Sequence, residues 1–477
     1  MPASSTSHVR KSSRYVSSRR RGAVVVLAAF LMVGLLLMIA FAVDIGYVAL
    51  NRTELQTAAD SAALAGAGAL PMGRPAATAE AIKFLAMNKV GQRTMVASNA
   101  TIDFGTWDFV TRTFKISATE PYAVRVRAVN NAQPLYFGRV IGKNTFNSKA
   151  EAVATFQPRD ISLVLDYSAS MCYDSQFRNI HLLGKPAIEA NLLQIYQQLG
   201  SPKYGTLAFK PVKYGSSSTS NTTVIKQFQL DKVPYPFPSG SWSDYVDYVQ
   251  TDDIVASAGY QNAYGYMTWV NYTLARRPES ASSPGLWRVS EQPITALKDA
   301  VDVFLSYLTA HSTDDRVSLS IYTHSDRTAI LESALTKKYS TVADLVRGRQ
   351  AGHYISTTNI SAGMNKGRLD LEKNGRSGAK KMMVLMTDGV VNMPTGNTTT
   401  DKALVIQEAK ACAAANIPII TIALGAYADT ALMQQCSDLT KGAAFIVEGG
   451  QPIAEVEEQL EEIFGKVAAD RPIKLVQ

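Results

Sequence analysis

Between Ile161 and Met171 the chain reads ISLVLDYSASM, an apolar and β-branched run that stops abruptly at Asp166. Such a run suits a strand buried on both faces of a sheet. The residues after it, Asp166-Tyr167-Ser168-Ala169-Ser170, put one carboxylate and two hydroxyls at alternating positions on one side of a loop. In an open α/β sheet that loop lies at the carboxyl edge, where ligands bind. An oxygen-only set of this kind suits a hard cation such as Mg²⁺, which takes few protein carboxylates and keeps water.

Two later segments repeat the theme. His353–Arg368 carries Thr358-Asn359-Ile360 running into a helical pattern, and Met382–Asn392 is a second apolar strand ending in Thr387-Asp388-Gly389. One Asp-x-Ser-x-Ser could be ordinary turn chemistry, but three such loops in this order resemble the metal-ion-dependent adhesion site of the von Willebrand factor A family. That resemblance implies hydroxyl ligands from Ser168, Ser170 and Thr358, with Asp166 and Asp388 holding Mg²⁺ (or Mn²⁺ or Ca²⁺) directly or through water. Ala169 stands where the family often has Gly. The alternative is that these side chains cap helices and close turns, with the fold kept and the metal lost.

The remaining pattern fits an α/β fold, a doubly wound Rossmann-like sheet. Helical spacing at 293–308, 341–347, 360–371, 402–415, 431–439 and 453–467 alternates with strand patterns at 316–323, 329–335, 418–424 and 443–447. This alternation argues a mainly parallel sheet covered on both faces. Between the first loop and the 293–308 helix lies an insertion, about 172–292, rich in Tyr, Trp, Ser, Asn and Pro. It is expected to form strands, because so long a structureless loop is unusual. Its aromatics suit either a recognition surface for protein or glycan or a small core of their own.

Upstream, residues 1–22 hold six of the basic residues and no acid, which accounts for most of the net charge of +8. The balance left over gives no reason to invoke nucleic acid. Residues 23–43 are 21 consecutive residues without a charge, enough at ~1.5 Å per residue to cross a hydrocarbon core of about 30 Å. A basic leader before the run and Asp44 after it predict a single-pass membrane protein with a cytoplasmic amino terminus and an exported bulk. A cleaved signal peptide is the rival, although its apolar region is usually shorter. A helical continuation is expected over 44–70 and a small α+β module over 71–157, with the adhesion-type domain over 158–477.

The leader, Gly22, the membrane helix and LQTAADSAALAGA (55–67) together resemble the TadE/TadG-like proteins of tight-adherence (Flp) pilus assembly. That resemblance implies a bacterial envelope location and partners in pilus assembly. Pilin-like members carry a Glu a few residues into the apolar run, where this chain has Leu27. The small residues Ala58, Ala59, Ala62, Ala63 and Ala65 fit either an assembly surface or an ordinary exposed helix. TadG-type domains also imply a disulfide between Cys412 and Cys436, with Cys172 left as a free thiol; the alternative is that Cys412 and Cys436 are free buried thiols. The five His show no metal-ligand spacing, and His324 and His353 are the two that could approach the site.

The function these readings favour is non-enzymatic: adhesion or pilus assembly in which the cation bridges to an Asp or Glu carboxylate of a protein partner. The alternatives are a structural scaffold with a vestigial metal site, or a hydrolase. No GxSxG, HExxH or Walker A loop supports the hydrolase.

Overall fold

The 49-residue helix α1 (Arg21–Ala69) runs without interruption from the apolar stretch into the Ala-rich segment. The computed structural model describes residues 21–477 apart from 110, 118–120, 157, 311–313, 323–328, 356, 377–378, 449–451 and 471–472. Residues 1–20 of the basic leader, with His8, and also His311, His324 and the turn at 325–327, lie outside the described residues. The chain divides into two compact units, one of residues 1–155 with 473–477, the other of residues 156–472.

In the first unit, α1 is exposed along its apolar half, from Val24 to Val43, as a helix long and apolar enough to cross a membrane would be. Its second half is different. Leu55, Ala58, Ala59, Ala62 and Ala63 are wholly buried, packed with α2 (Arg74–Met87) and with a sheet strand. The small residues thus serve a contact inside the unit; the exposed-helix alternative is overturned, and that face is not free for assembly. Four antiparallel strands, β1 (Ala100–Asp108), β2 (Thr113–Ile116), β3 (Ala123–Pro134) and β4 (Thr145–Phe156), form the sheet. The final strand, Ile473–Leu475, returns to its edge beside β4, which no pattern in the sequence had suggested.

The second unit is built on β5 (Arg159–Asp166), buried at every position. The insertion follows, and it is helical rather than stranded. Its main elements are α3 (Lys185–Gln198), α4 (Trp242–Thr251) and α5 (Tyr266–Arg276), and its β structure is confined to the two-residue pairing of 212–213 with 263–264. The physical reason is spacing. Trp242, Tyr245, Val246 and Val249 recur at helical intervals, as do Tyr266, Trp269, Val270 and Thr273, and all are buried. That periodicity outweighs the strand propensity of single aromatic residues. Ser241 and Asp244 close a capping box at the start of α4. Stacked Phe237 and Trp269 (5.6 Å) and the hydroxyl contact of Tyr235 with Tyr272 (2.7 Å) belong to this aromatic core.

Beyond it come α6 (Ile294–Ala310), β6 (Arg316–Tyr322), β7 (Ile330–Thr336), α7 (Tyr339–Arg347), α8 (Ile360–Asn374) and β8 (Lys380–Thr387). Then follow α9 (Thr398–Ala414), β9 (Ile419–Leu424), α10 (Thr430–Thr440), β10 (Ala444–Val447) and α11 (Ile453–Ala469). The six-stranded sheet has the order β7-β6-β5-β8-β9-β10, parallel except for β7 at one edge. From β5 the chain goes to one side for β6 and to the other for β8, so the order reverses at β5. Ligand crevices form at such a switch point.

Ile161, Leu163 and Leu165 face one apolar core, which takes in the insertion's aromatics, while Val164 faces the other. Two glycines let α8 approach the second face. A Cβ on Gly363 would lie 2.6 Å from Tyr322 Cδ1, and one on Gly367 would lie 2.5 Å from Ser162 Oγ. At the opposite end of β5, fully buried Arg159 pairs with Asp315 (2.8 Å) and donates to the carbonyls of Val467, Ala468 and Asp470 at the end of α11.

The expected Cys412–Cys436 disulfide is absent: both are free thiols, as is Cys172. Cys412 on α9 and Cys436 on α10 sit in one apolar cluster as small hydrophobes. Burial pushes each thiol up to about 12, which suppresses the thiolate that oxidation needs.

Candidate metal centre

Register sets the site. Tyr322 of β6 lies opposite Asp166 of β5, and Leu385 of β8 lies opposite Val164, so the ends of three neighbouring strands meet. Asp166 is fully buried and accepts two bonds. Its Oδ1 takes the Ser168 amide (2.8 Å), a local turn that folds the loop back, and its Oδ2 takes the Thr387 hydroxyl (2.9 Å). The hydroxyls of Ser168 and Ser170 are 2.8 Å apart, and Ser170 Oγ donates to Asp388 Oδ1 at 2.7 Å. Asp166, Ser168, Ser170 and Asp388, spread over more than two hundred positions, therefore form one continuous cluster.

Thr358 is buried but is joined differently. Its amide donates to Asn392 Oδ1 (2.9 Å), and the Asn392 amide donates to its carbonyl (3.2 Å). The second loop is thus fastened to the third by the Thr358 backbone against the side chain and amide of Asn392, with Asn359 capping α8 by accepting from the Ala362 amide. Asn392 ends the 382–392 segment, and nothing local in the sequence marks it as the clasp. His353 packs edge-on against Tyr354 (4.7 Å), and burial together with Arg349 lowers its pKa to about 4. It is a neutral ring outside the cluster.

Electrostatically the cluster is strained. Burial raises the carboxyls of both Asp166 and Asp388, and the Asp166 charge raises Asp388 further, against the Ser170 hydrogen bond. Asp174, itself raised by burial, adds to the push. The sequence hid Asp174 because it lies four residues past the Asp-x-Ser-x-Ser pattern. Its amide bonds the Gln292 carbonyl (3.1 Å) and its carboxylate accepts from Asn179 (2.6 Å), so it is held where the insertion begins and ends.

Among the described residues no three His, Cys, Asp or Glu side chains converge for a metal. The carboxylate-plus-hydroxyl set fits a hard cation, which would also relieve the crowded negative charge.

A six-stranded, mainly parallel sheet with three loops meeting at its carboxyl edge makes the second unit a von Willebrand factor type A domain, and residues 286–459 match that family. The matched stretch begins in the last few residues of the insertion and leaves out β5. Residues 22–69 match the Tad family, described as Flp pilus-assembly TadE/G-like, and residues 65–154 match Tad_C, described as Tad-like Flp pilus-assembly. The chain is thus a TadE/G-like protein carrying a von Willebrand factor type A domain. A comparison with curated proteins finds no match.

Among solved structures the chain is similar to the PilB minor pilin from Streptococcus sanguinis, at 10% identity over 78% of this chain and 85% of that one, TM-score 0.33. It is also similar to the pilus adhesin SpaC from Lactobacillus rhamnosus GG, at 12% identity over 78% of this chain and 34% of that one, TM-score 0.34. The von Willebrand factor type A protein from Catenulispora acidiphila aligns at 11% identity over 77% of this chain and 49% of that one, TM-score 0.32. Likeness at this level carries no functional weight.

Proposed function

We propose that this protein is a membrane-anchored component of the bacterial envelope that acts in adhesion or pilus assembly by metal-dependent protein binding, and not as an enzyme. In this reading Asp166, Ser168, Ser170 and Asp388, with Thr358 on the adjoining loop, hold Mg²⁺ (or Mn²⁺ or Ca²⁺). The bound ion supplies an open coordination position that an Asp or Glu carboxylate of the partner completes. The observation that carries the reading is the contact chain from Asp166 to Asp388 at the switch point of the sheet, in a chain whose first 154 residues include two pilus-assembly matches. In this reading the amino terminus is cytoplasmic and the bulk of the chain beyond the span is exported.

The test uses the full chain in lipid nanodiscs. Mg²⁺ titration should raise the melting temperature of the second unit, and both chelation and Asp166→Ala should abolish that shift while leaving the circular dichroism spectrum unchanged. One observation favours a second reading, a scaffold with no metal: Ser168, Ser170 and Asp388 already satisfy one another by hydrogen bonds. A melting temperature indifferent to Mg²⁺, Mn²⁺ and Ca²⁺ would decide for the scaffold.

A further inference from the structure

The turn between β3 and β4 in the first unit carries an apolar surface that its own fold does not cover. Residues 135–143 read LYFGRVIGK, and Tyr136, Phe137, Val140 and Ile141 are 59%, 46%, 76% and 68% exposed. This loop is not loose. Asp44, the first charged residue after the apolar run of α1, is buried and accepts the amides of Tyr136 (2.9 Å), Phe137 (3.1 Å) and Gly138 (2.6 Å). Tyr47, one turn further along α1, packs edge-on against Tyr136 at 5.1 Å. Gly138 is required: a Cβ there would stand 2.8 Å from the Lys143 carbonyl.

Clamped in this way, the loop lies beside the last turns of the apolar run. Leu37, Ala40 and Phe41 of α1 share a groove of about 430 Å³ with Leu135, Phe137, Val140 and Ile141. Leu37 is seven residues before Asp44, about 10 Å along a helix axis, so the loop reaches well into the level of the apolar stretch. Basic side chains ring it: Arg52 and Lys143 line the same groove, and exposed Arg139 is in the loop. An apolar and aromatic tip set below a basic collar is the pattern of an interfacial membrane contact, in which apolar groups enter the acyl boundary by ~5–10 Å and cations meet lipid phosphates.

We infer that the 135–143 loop is a second membrane element, seated in the headgroup and upper acyl region of the bilayer that α1 crosses, with an acyl chain in the groove and anionic headgroups against Arg52, Arg139 and Lys143. This rests on reading Val24–Val43 as a membrane span. The loop then fixes the height and tilt of the first unit on the membrane, which a single helix cannot do. Asp44 is the latch that couples the two.

The test places an environment-sensitive fluorophore on single introduced cysteines in the full chain, reconstituted in vesicles of phosphatidylcholine and phosphatidylglycerol with or without spin-labelled lipid. The native thiols are wholly buried. Labels at Leu36→Cys report the span, at Val140→Cys the loop, and at Ser98→Cys a control site on the first unit. Quenching by lipid at 36 and 140 but not at 98, with Asp44→Ala removing it at 140 alone, is the expected result. Quenching at 36 without quenching at 140 overturns the inference and leaves the span intact. Absence at both positions overturns the span as well. A blue shift at 140 that depends on protein density and not on spin-labelled lipid would assign the loop to a second copy of the chain, and would also overturn it.

Discussion

Arg159 shows how much one side chain can hold. It is buried at the base of the central strand, paired with Asp315, and satisfies three carbonyls that would otherwise end α11 unbonded. Arg159→Ala would strand Asp315 without its partner, a loss of roughly 3–5 kcal/mol to be read from denaturant melts of the second unit. Its neighbour Asp160 gives a pH dependence. Burial pushes its carboxyl up, but hydrogen bonds from Arg316 and Arg376 prevail and hold it below the ordinary value. Its contribution is therefore complete above the unfolded value of about 3.9 and drains away as pH falls through the lower folded one. Wild type should lose more stability than Asp160→Asn over that acid window; equal losses would remove Asp160 from the account. At the site the sign is opposite. Burial, with the Asp166 and Asp174 carboxylates beside it, raises Asp388, so Asp388→Asn should stabilise the metal-free chain, read from its melting temperature, while weakening any response to Mg²⁺.

At the scale of elements, Thr358 depends on where α8 lies, and α8 depends on Gly363 and Gly367. Gly363→Ala would drive a methyl against the Tyr322 ring and should cost about 1–3 kcal/mol, with a parallel fall in Mg²⁺ affinity as the Thr358 loop shifts. Stability lost without any change in affinity would separate the helix from the site. The cluster itself was readable because its signals are local: a strand pattern ending in Asp166, and another ending in Thr387-Asp388. What was not readable depended on folding at a distance. Asn392 clasps Thr358 across a gap that no spacing reports, and Asp174 matters only because the insertion closes beside it. The insertion is helical where its length alone suggested strands, because the intervals of its Tyr, Trp and Val describe the faces of α4 and α5.

The two units are linked by two chain crossings, one after Thr155 and one before Ile473. The second unit is thus spliced between β4 and the terminal strand, and the first unit is complete only when the end of the chain comes home. Val153 records that closure directly: its amide donates to the Gln477 carbonyl (2.8 Å), and its carbonyl accepts from the Val476 amide (2.8 Å). Ending the chain at Pro472 would strip this edge, leaving β4 with unpaired backbone groups. Hydrogen exchange on the truncated protein should then show Val153 opening far faster, with β3 following, while Leu163 in the central strand of the other unit stays protected. If Leu163 lost protection in step with Val153, the units would unfold as one, and the terminal strand would support the stability of the second unit as much as that of the first.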